Sequence, residues 1–291
     1  MILAHHTIQG DKTPITICPL GDIQWNGVES EIAFKHLQEH IERCLTMPNP
    51  LFVGMGDYVD FTSPSNREAL ASARIYQGPR KAIGDKALQL ADECYEKILK
   101  PTQGKWLGML SGHHWYPLLS GGTTDTYLAD KLKAPFLGVL GVVRVTFQGD
   151  KNTQHIQLWC HHGEGSGRTP AGPIAKLATA AASWDDVDVF LMGHMTKKSK
   201  ADQTRVIPVF PSKGSKSMAY LVHKDVHLVG TGGWSKAFIE GAPEGTYVEQ
   251  KLYNPVVLGA PLIHVRPIWR KPSNEEGGRN IRWDPRITVE V

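Results

Sequence analysis

Five short apolar runs in this 291-residue chain end in glycine together with an acid or a histidine. Ile15 to Leu20 leads into Gly21-Asp22, and Leu51 to Met55 leads into Gly56-Asp57. Trp106 to Leu110 is followed by Gly112-His113-His114, Ile156 to Cys160 by His161-His162-Gly163, and Val187 to Met192 by Gly193-His194. Each run has the length of a buried strand. In open α/β sheets functional residues gather beyond the carboxyl ends of the strands, so these five ends are expected to meet. Carboxylate oxygen and imidazole nitrogen together suit first-row divalent ions such as Mn, Fe, Zn or Ni. Any one of these residues reads equally well as a helix cap or a strand stop. Five in the same local setting read as a site.

Helical patterns separate the runs. Ser30 to Met47 carries Ile32, Leu37, Ile41 and Leu45 at helical spacing, with Ser30 as the expected N-cap and Pro48 past the end. Asp85 to Leu99 puts Ala87, Leu90, Ala91, Cys94 and Ile98 on one side, and Ile174 to Ser183 opens after Pro173. This alternation predicts an α/β fold with largely parallel central strands. Val142 to Leu158 reads as a hairpin turning at Gly-Asp-Lys-Asn. After Thr204 the chain is mostly strand-like, in R-V-I-P-V-F, M-A-Y-L-V, V-H-L-V-G and P-L-I-H-V-R-P-I, which form or extend a second sheet. No linker-like stretch interrupts the chain. Residues 1–291 therefore read as one domain, with a motif core at about 15–200 and a strand-rich part at 204–291.

Composition narrows the class. Hydrophobic residues make up 41% and charged residues 21%, enough for a sizeable core, and the net charge of +3 is too small to argue by itself for nucleic acid or membrane. Cys18, Cys44, Cys94 and Cys160 form no C-x-x-C pair, and the start of the chain lacks a secretory pattern. Free thiols in a cytoplasmic protein are the expectation. No apolar run reaches the length of a membrane span.

In order and form the motifs resemble the calcineurin-like metallophosphoesterase superfamily, whose pattern is D-x-H, G-D-x-x-[DN], G-N-H-[DE], a later H-G, and G-H-x-H. Here they read G-D-I-Q (21–24), G-D-Y-V-D (56–60), G-H-H-W (112–115), C-H-H-G (160–163) and G-H-M-T (193–196), over roughly residues 15 to 200. The stretch H-H-G-E-G-S-G-R-T-P is similar to bacteriophage and bacterial members. The resemblance implies two mixed β-sheets packed as a sandwich and flanked by helices. It implies that Asp57 bridges two metal ions, with Asp22 at the first and His113, His162 and His194 at the second. His114 matches the family's catalytic histidine near the leaving oxygen.

The departures fall on one side of the site. Gln24 and Thr196 stand where the family has histidines, whereas His113 replaces an asparagine. The first site then relies on oxygen donors from Asp22, Gln24, Asp57 and Thr196, and is expected to be weak, selective for a harder ion such as Mg, or empty. The second, rich in nitrogen, is expected to bind tightly, with Mn the first choice of ion. The implied activity is hydrolysis of a phosphodiester, in nucleic acid or a nucleotide, by a metal-activated water. Two alternatives stay open: an impaired relative serving as a binding module, and a phosphomonoester or phosphoprotein phosphatase. Gly163 to Arg168 reads equally as a phosphate cradle, with Arg168 as a bidentate contact, or as an ordinary loop. Asp60 reads as an orienting group or a turn cap, and His161 as support for His162. Trp25, Tyr58, Trp115 and Tyr116 read as base-stacking groups or as rim packing.

Overall fold

The six residues from Ile15 to Leu20 are all buried in the computed structural model of the chain, because this strand lies between a second sheet on one face and helices on the other. The structure describes residues 1–291 except 74, 151–152, 166–168, 170, 211–218, 242–245, 251, 253, 271–281 and 284. Its strands begin with β1 (Ile2–Gln9), β2 (Ile15–Leu20), β3 (Pro50–Gly54), β4 (Trp106–Leu110), β5 (Phe136–Gly138), β6 (Leu140–Gln148) and β7 (Thr153–His161). They continue with β8 (Val189–Met192), β9 (Lys198–Val209), β10 (Tyr220–Thr231), β11 (Leu262–Arg266), β12 (Trp269–Arg270), β13 (Arg282–Trp283) and β14 (Arg286–Glu290). The helices are α1 (Phe34–Thr46), α2 (Pro64–Ser72), α3 (Gln77–Cys94), α4 (Thr124–Leu132), α5 (Ala171–Ala181) and α6 (Tyr247–Gln250).

Two mixed six-stranded sheets result, ordered β1-β6-β7-β8-β10-β9 and β14-β11-β2-β3-β4-β5. In the second sheet β2, β3, β4 and β5 run parallel, as do β7, β8 and β10 in the first. Alternation divides each central strand between two cores. Ile15, Ile17, Val53 and Met55 meet Val143, Leu158, Val189 and Leu191 between the sheets. Cys18, Leu20, Phe52 and Met109 face the other way, onto Leu37 and Ile41 of α1, Leu90 and Cys94 of α3 and Leu128 of α4. Phe190 and Leu228 pack on Leu177 and Ala181 of α5. A strand buried on both faces must read as an unbroken apolar run, which is how these read. No helix among the described residues is long and apolar enough to cross a membrane, and all four cysteines are buried and free.

Local boundaries depart from the sequence reading where tertiary pairing competes. Ser30 is not an N-cap: α1 begins at Phe34, and Ala33 in the capping position makes no side-chain cap. Ile32 instead bridges to Ser235, and the Ala33 N–H donates to the Trp234 carbonyl, which draws this stretch out of the helix. The third helix starts eight residues earlier than expected, and beyond Cys94 the chain widens into a π-helical turn at Tyr95–Leu99 just before Pro101. Pro173 lies in the first turn of α5, where its missing N–H leaves no helical bond unmade. Val142 to Leu158 is the expected hairpin of β6 and β7, and the runs M-A-Y-L-V and V-H-L-V-G prove to be largely one strand, β10.

Candidate metal centre

All five chemical motifs lie just past the carboxyl ends of β2, β3, β4, β7 and β8. The ladder between β2 and β3 continues beyond the strands: Asp22 N–H donates to the Gly56 carbonyl (2.9 Å) and Gln24 N–H to the Asp57 carbonyl (2.9 Å). The loop after β8 is fastened to the other sheet by the His194 N–H, which donates to Asp22 Oδ2 at 2.9 Å. Turning the chain this sharply requires backbone that L-residues avoid. Of nine non-glycine residues with positive φ among those described, five are Asp22, Gln24, Asp57, His194 and Thr196. Strain at roughly 1–3 kcal/mol per residue therefore concentrates at this one place.

The side chains converge in two overlapping groups. His113, His162 and His194 form one, Asp22, Asp57 and His162 the other, and within each group the potential ligand atoms lie within 4.8 Å of one another. The two carboxylates belong to the second group, and His162 is thus the residue common to both. Its Nδ1 donates to the Met55 carbonyl at 2.6 Å, which fixes the ring and turns Nε2 toward Asp57 Oδ2, 3.2 Å away. His113 Nδ1 and His194 Nδ1 approach to 3.2 Å. Asp22 Oδ1 is buried with no hydrogen-bond partner, and the buried Asp57 Oδ2 and His162 Nε2 make no hydrogen bond beyond their mutual ion-pair contact. An unsatisfied buried polar atom costs about 1–3 kcal/mol, so three such sparsely bonded atoms around one point describe a space shaped for a cation. Imidazole and carboxylate donors fit a first-row divalent ion.

The titration behaviour follows from the same crowding. Burial pushes the Asp22 carboxyl up to about 7. Burial also opposes ionisation of Asp57, but His162, His114 and the His113 N–H override it and hold this carboxyl well below the usual range. Burial opposes a charge on His162 too, and Asp57 and Asp22 overcome it, lifting the imidazole to about 9. The carboxylates demand a positive charge here, which either a proton or a metal ion supplies. Burial, with His162 and His113 alongside, lowers His194 to about 4, and burial with His162 lowers His113 as well. Both rings therefore keep lone pairs near neutral pH.

His114 points elsewhere. Its Nδ1 donates to Asp60 Oδ1 at 2.7 Å, while Nε2 faces Asp57 Oδ2 at 3.9 Å. Burial works against its protonation, yet the hydrogen bond to Asp60 and the charge of Asp57 raise it above the ordinary histidine value. Asp60 is thus an orienting group, for His114. His161 accepts the Gly163 N–H through Nδ1 at 2.8 Å and stacks on Trp159, holding the turn that carries His162.

Three supporting groups escaped the sequence reading. The Met55 carbonyl is one. Asp125, buried in the first turn of α4, accepts the Gly112 N–H at 2.9 Å. Arg67 of α2 directs one guanidinium nitrogen to the carbonyls of Thr62, His113 and Trp115 and lies 4.0 Å over the Trp115 ring. An acid in a helix's first turn and an arginine on a polar helix carry no signal of such roles. Trp25 and Tyr58 are fully buried, so neither can stack on a base; Trp115 and Tyr116 are half-buried.

Gln24 and Thr196 lie near Asp22 but add neither imidazole nor charge. The Gln24 amide oxygen accepts the Ser235 hydroxyl, and a Cβ added at Gly233 would meet the side chains of both Thr196 and Asp22. Arg168 lies outside the described residues. Comparison of the chain with protein-family models, with curated proteins and with solved structures gives no match.

Two substitutions probe this geometry. A Cβ on Gly112 would lie 2.1 Å from both the backbone nitrogen and Oδ1 of Asp57, so the backbone of that turn would have to shift along with the carboxylate. Gly112→Ala is expected to weaken metal binding about 10–100-fold, as loss of a supporting contact does, with the circular dichroism of the folded chain retained. Restoring imidazole at both neutral positions, with Gln24→His and Thr196→His, should raise metal stoichiometry at limiting Mn. Both positions have φ near +50°, at 53° and 51°, which histidine tolerates better than most residues and which His194 already adopts. Elemental analysis decides; two ions held tightly by the unaltered chain would show that amide and hydroxyl oxygen suffice.

Proposed function

We propose that this chain is a metal-dependent phosphoesterase of the calcineurin-like type that hydrolyses phosphodiesters, with nucleic acid or a nucleotide as the substrate class. The observation that carries the reading is the meeting of three imidazoles and two carboxylates from five strand ends, next to a histidine held by an acid. His113, His162, His194, Asp22 and Asp57 would hold one or two divalent ions, with Mn preferred. Such an ion, when bound, offsets phosphate charge and lowers the pKa of a water nucleophile.

The chain's own groups do the rest. Asp57 Oδ1 accepts the N–H groups of His113 and His114, so the same carboxylate fixes the loop that presents both rings. His162 is locked by Met55 and cannot rotate away from the carboxylates. His114, whose protonated form Asp60 and Asp57 favour, would donate its Nε2 proton to the leaving oxygen. Half-buried Trp115 and Tyr116 border this side and would contact the leaving group. A cytoplasmic location belongs to the same reading, supported by four buried free thiols.

One observation favours a rival. The Gln24 oxygen is already engaged by Ser235, which fits a chain that has lost one metal and only binds its ligand. A single experiment separates the two: protein purified without chelator is analysed for metal, then assayed on bis(4-nitrophenyl) phosphate and 4-nitrophenyl phosphate with Mn, Ni, Mg or Zn. Metal-dependent diester hydrolysis is expected; bound metal with no turnover of either ester would leave the binding module.

If turnover is found, His114→Ala should lower kcat by about 10²–10⁴-fold with metal content unchanged. Asp60→Asn should act in the same direction and by less, since it removes orientation and leaves the ring. Loss of metal from His114→Ala would make His114 a ligand and refute its assignment as proton donor.

A further inference from the structure

The antiparallel pair of β11 and β14 places two arginines face to face. Its register sets Arg266 opposite Arg286, and His264 opposite Thr288. Directly opposed side chains have Cβ atoms about 4.5–5.5 Å apart, and like charges at that spacing destabilise a sheet. An unfavourable pairing at a sheet edge invites the question of what anion relieves it.

Alternation puts the basic residues on the outer face, since Ile263, Val265 and Val289 of the same strands fill the core between the sheets. His264, Arg266, Arg286 and Thr288 line a cavity of about 160 Å³. That is room for roughly five waters, or for a phosphate with part of its hydration. Among the described residues no carboxylate pairs with either arginine. Glu290, at the far end of β14, is committed to Arg43 of α1 at 2.6 Å and lies 3.5 Å from His264 Nε2. His264 is steadied from behind, its Nδ1 lying 3.2 Å from the buried Thr16 hydroxyl. Three arginines against one glutamate leave the patch strongly positive.

We propose that this cavity is a phosphate-binding site, gripped from two strands by the guanidinium forks of Arg266 and Arg286, with the Thr288 hydroxyl and the His264 ring as further polar contacts. Planar forks take two phosphate oxygens each, a geometry that lysines cannot supply. The site is separate from the metal centre. Thr16 pairs with His264 near the start of β2, whereas Asp22 lies past its far end, and the four residues from Thr16 to Leu20 alone span about 13 Å at ~3.3 Å per residue. A single phosphate cannot reach both. The ligand is either free phosphate or a backbone phosphate of nucleic acid, a choice the experiment makes.

The metal-loaded full chain is titrated with inorganic phosphate by calorimetry and with a fluorescent single-stranded oligonucleotide by anisotropy. The double variant Arg266→Gln with Arg286→Gln should lose one phosphate-binding event, at least tenfold in affinity, while hydrolysis of a small diester is unchanged. In phosphate-free, low-salt buffer its melting temperature should equal or exceed that of the unaltered chain, because the opposed charges are gone. Added phosphate should stabilise the unaltered chain more than the variant. Arg266→Lys with Arg286→Lys keeps the charge without the fork and should bind at an intermediate level. If oligonucleotide affinity falls together with phosphate affinity, the ligand is the nucleic-acid backbone; if only phosphate binding falls, it is the free anion. Phosphate titrations of the glutamine variant that superimpose on those of the unaltered chain would overturn the proposal.

Discussion

Asp22 and Asp57 are carboxylates with no more than 1% of their surface exposed, and they are close enough that each bears on the other's ionisation. Buried acids of like charge repel one another and lack water, so something positive must stand between them. Much of the surrounding architecture answers this requirement. The N–H groups of His113 and His114 point at Asp57, that of His194 at Asp22, and the His162 ring is held where its free nitrogen meets Asp57. These contacts leave Asp22 Oδ1 without a partner and Asp57 Oδ2 facing only imidazole nitrogen, which is where a divalent ion fits. The polar cluster is therefore stable as a unit and poorly satisfied in part.

Holding such a cluster requires backbone that is itself unfavourable. Five left-handed residues at roughly 1–3 kcal/mol each would unravel a loop that stood alone. They persist because each loop is anchored at a strand buried on both faces. A fully buried Val, Leu or Ile contributes about 1.5–3 kcal/mol, and β2, β3, β4, β7 and β8 each bring several. Core packing at the strands thus offsets strain at their ends, and the site cannot relax without disturbing the sandwich.

Around the ligands, a second set of contacts sets direction rather than charge. Asp125 draws in the Gly112 N–H, Arg67 gathers three carbonyls of neighbouring loops, and Asp60 turns His114 away from the ring that precedes it. Adjacent histidines on one loop thereby take different surroundings, His113 beside two other imidazoles and His114 on a carboxylate, as the proposed division between ion and substrate requires. The Arg67 guanidinium on the Trp115 ring stiffens the same loop from outside.

What the sequence determined is the part governed by local pattern. Unbroken apolar runs ending in Gly-Asp or Gly-His set out the central strands, their alternation with helices called for parallel sheets, and the motif order marked the residues that meet. Both sheets and the meeting of His113, His162, His194, Asp22 and Asp57 follow that reading. Tertiary structure alone decided three matters. Ser30 lost its cap because Ile32 and Ala33 pair with a segment 200 residues away, a competition no local signal records. Trp25 and Tyr58, beside the motifs in sequence, turned inward because the chain past β2 and β3 continues the ladder and sends alternate side chains into the helical core. His162 came to stand in both candidate ligand groups, and Arg266 opposite Arg286, through register between distant strands. Strand register depends on the whole sheet, and so it lies beyond what spacing along one chain can encode.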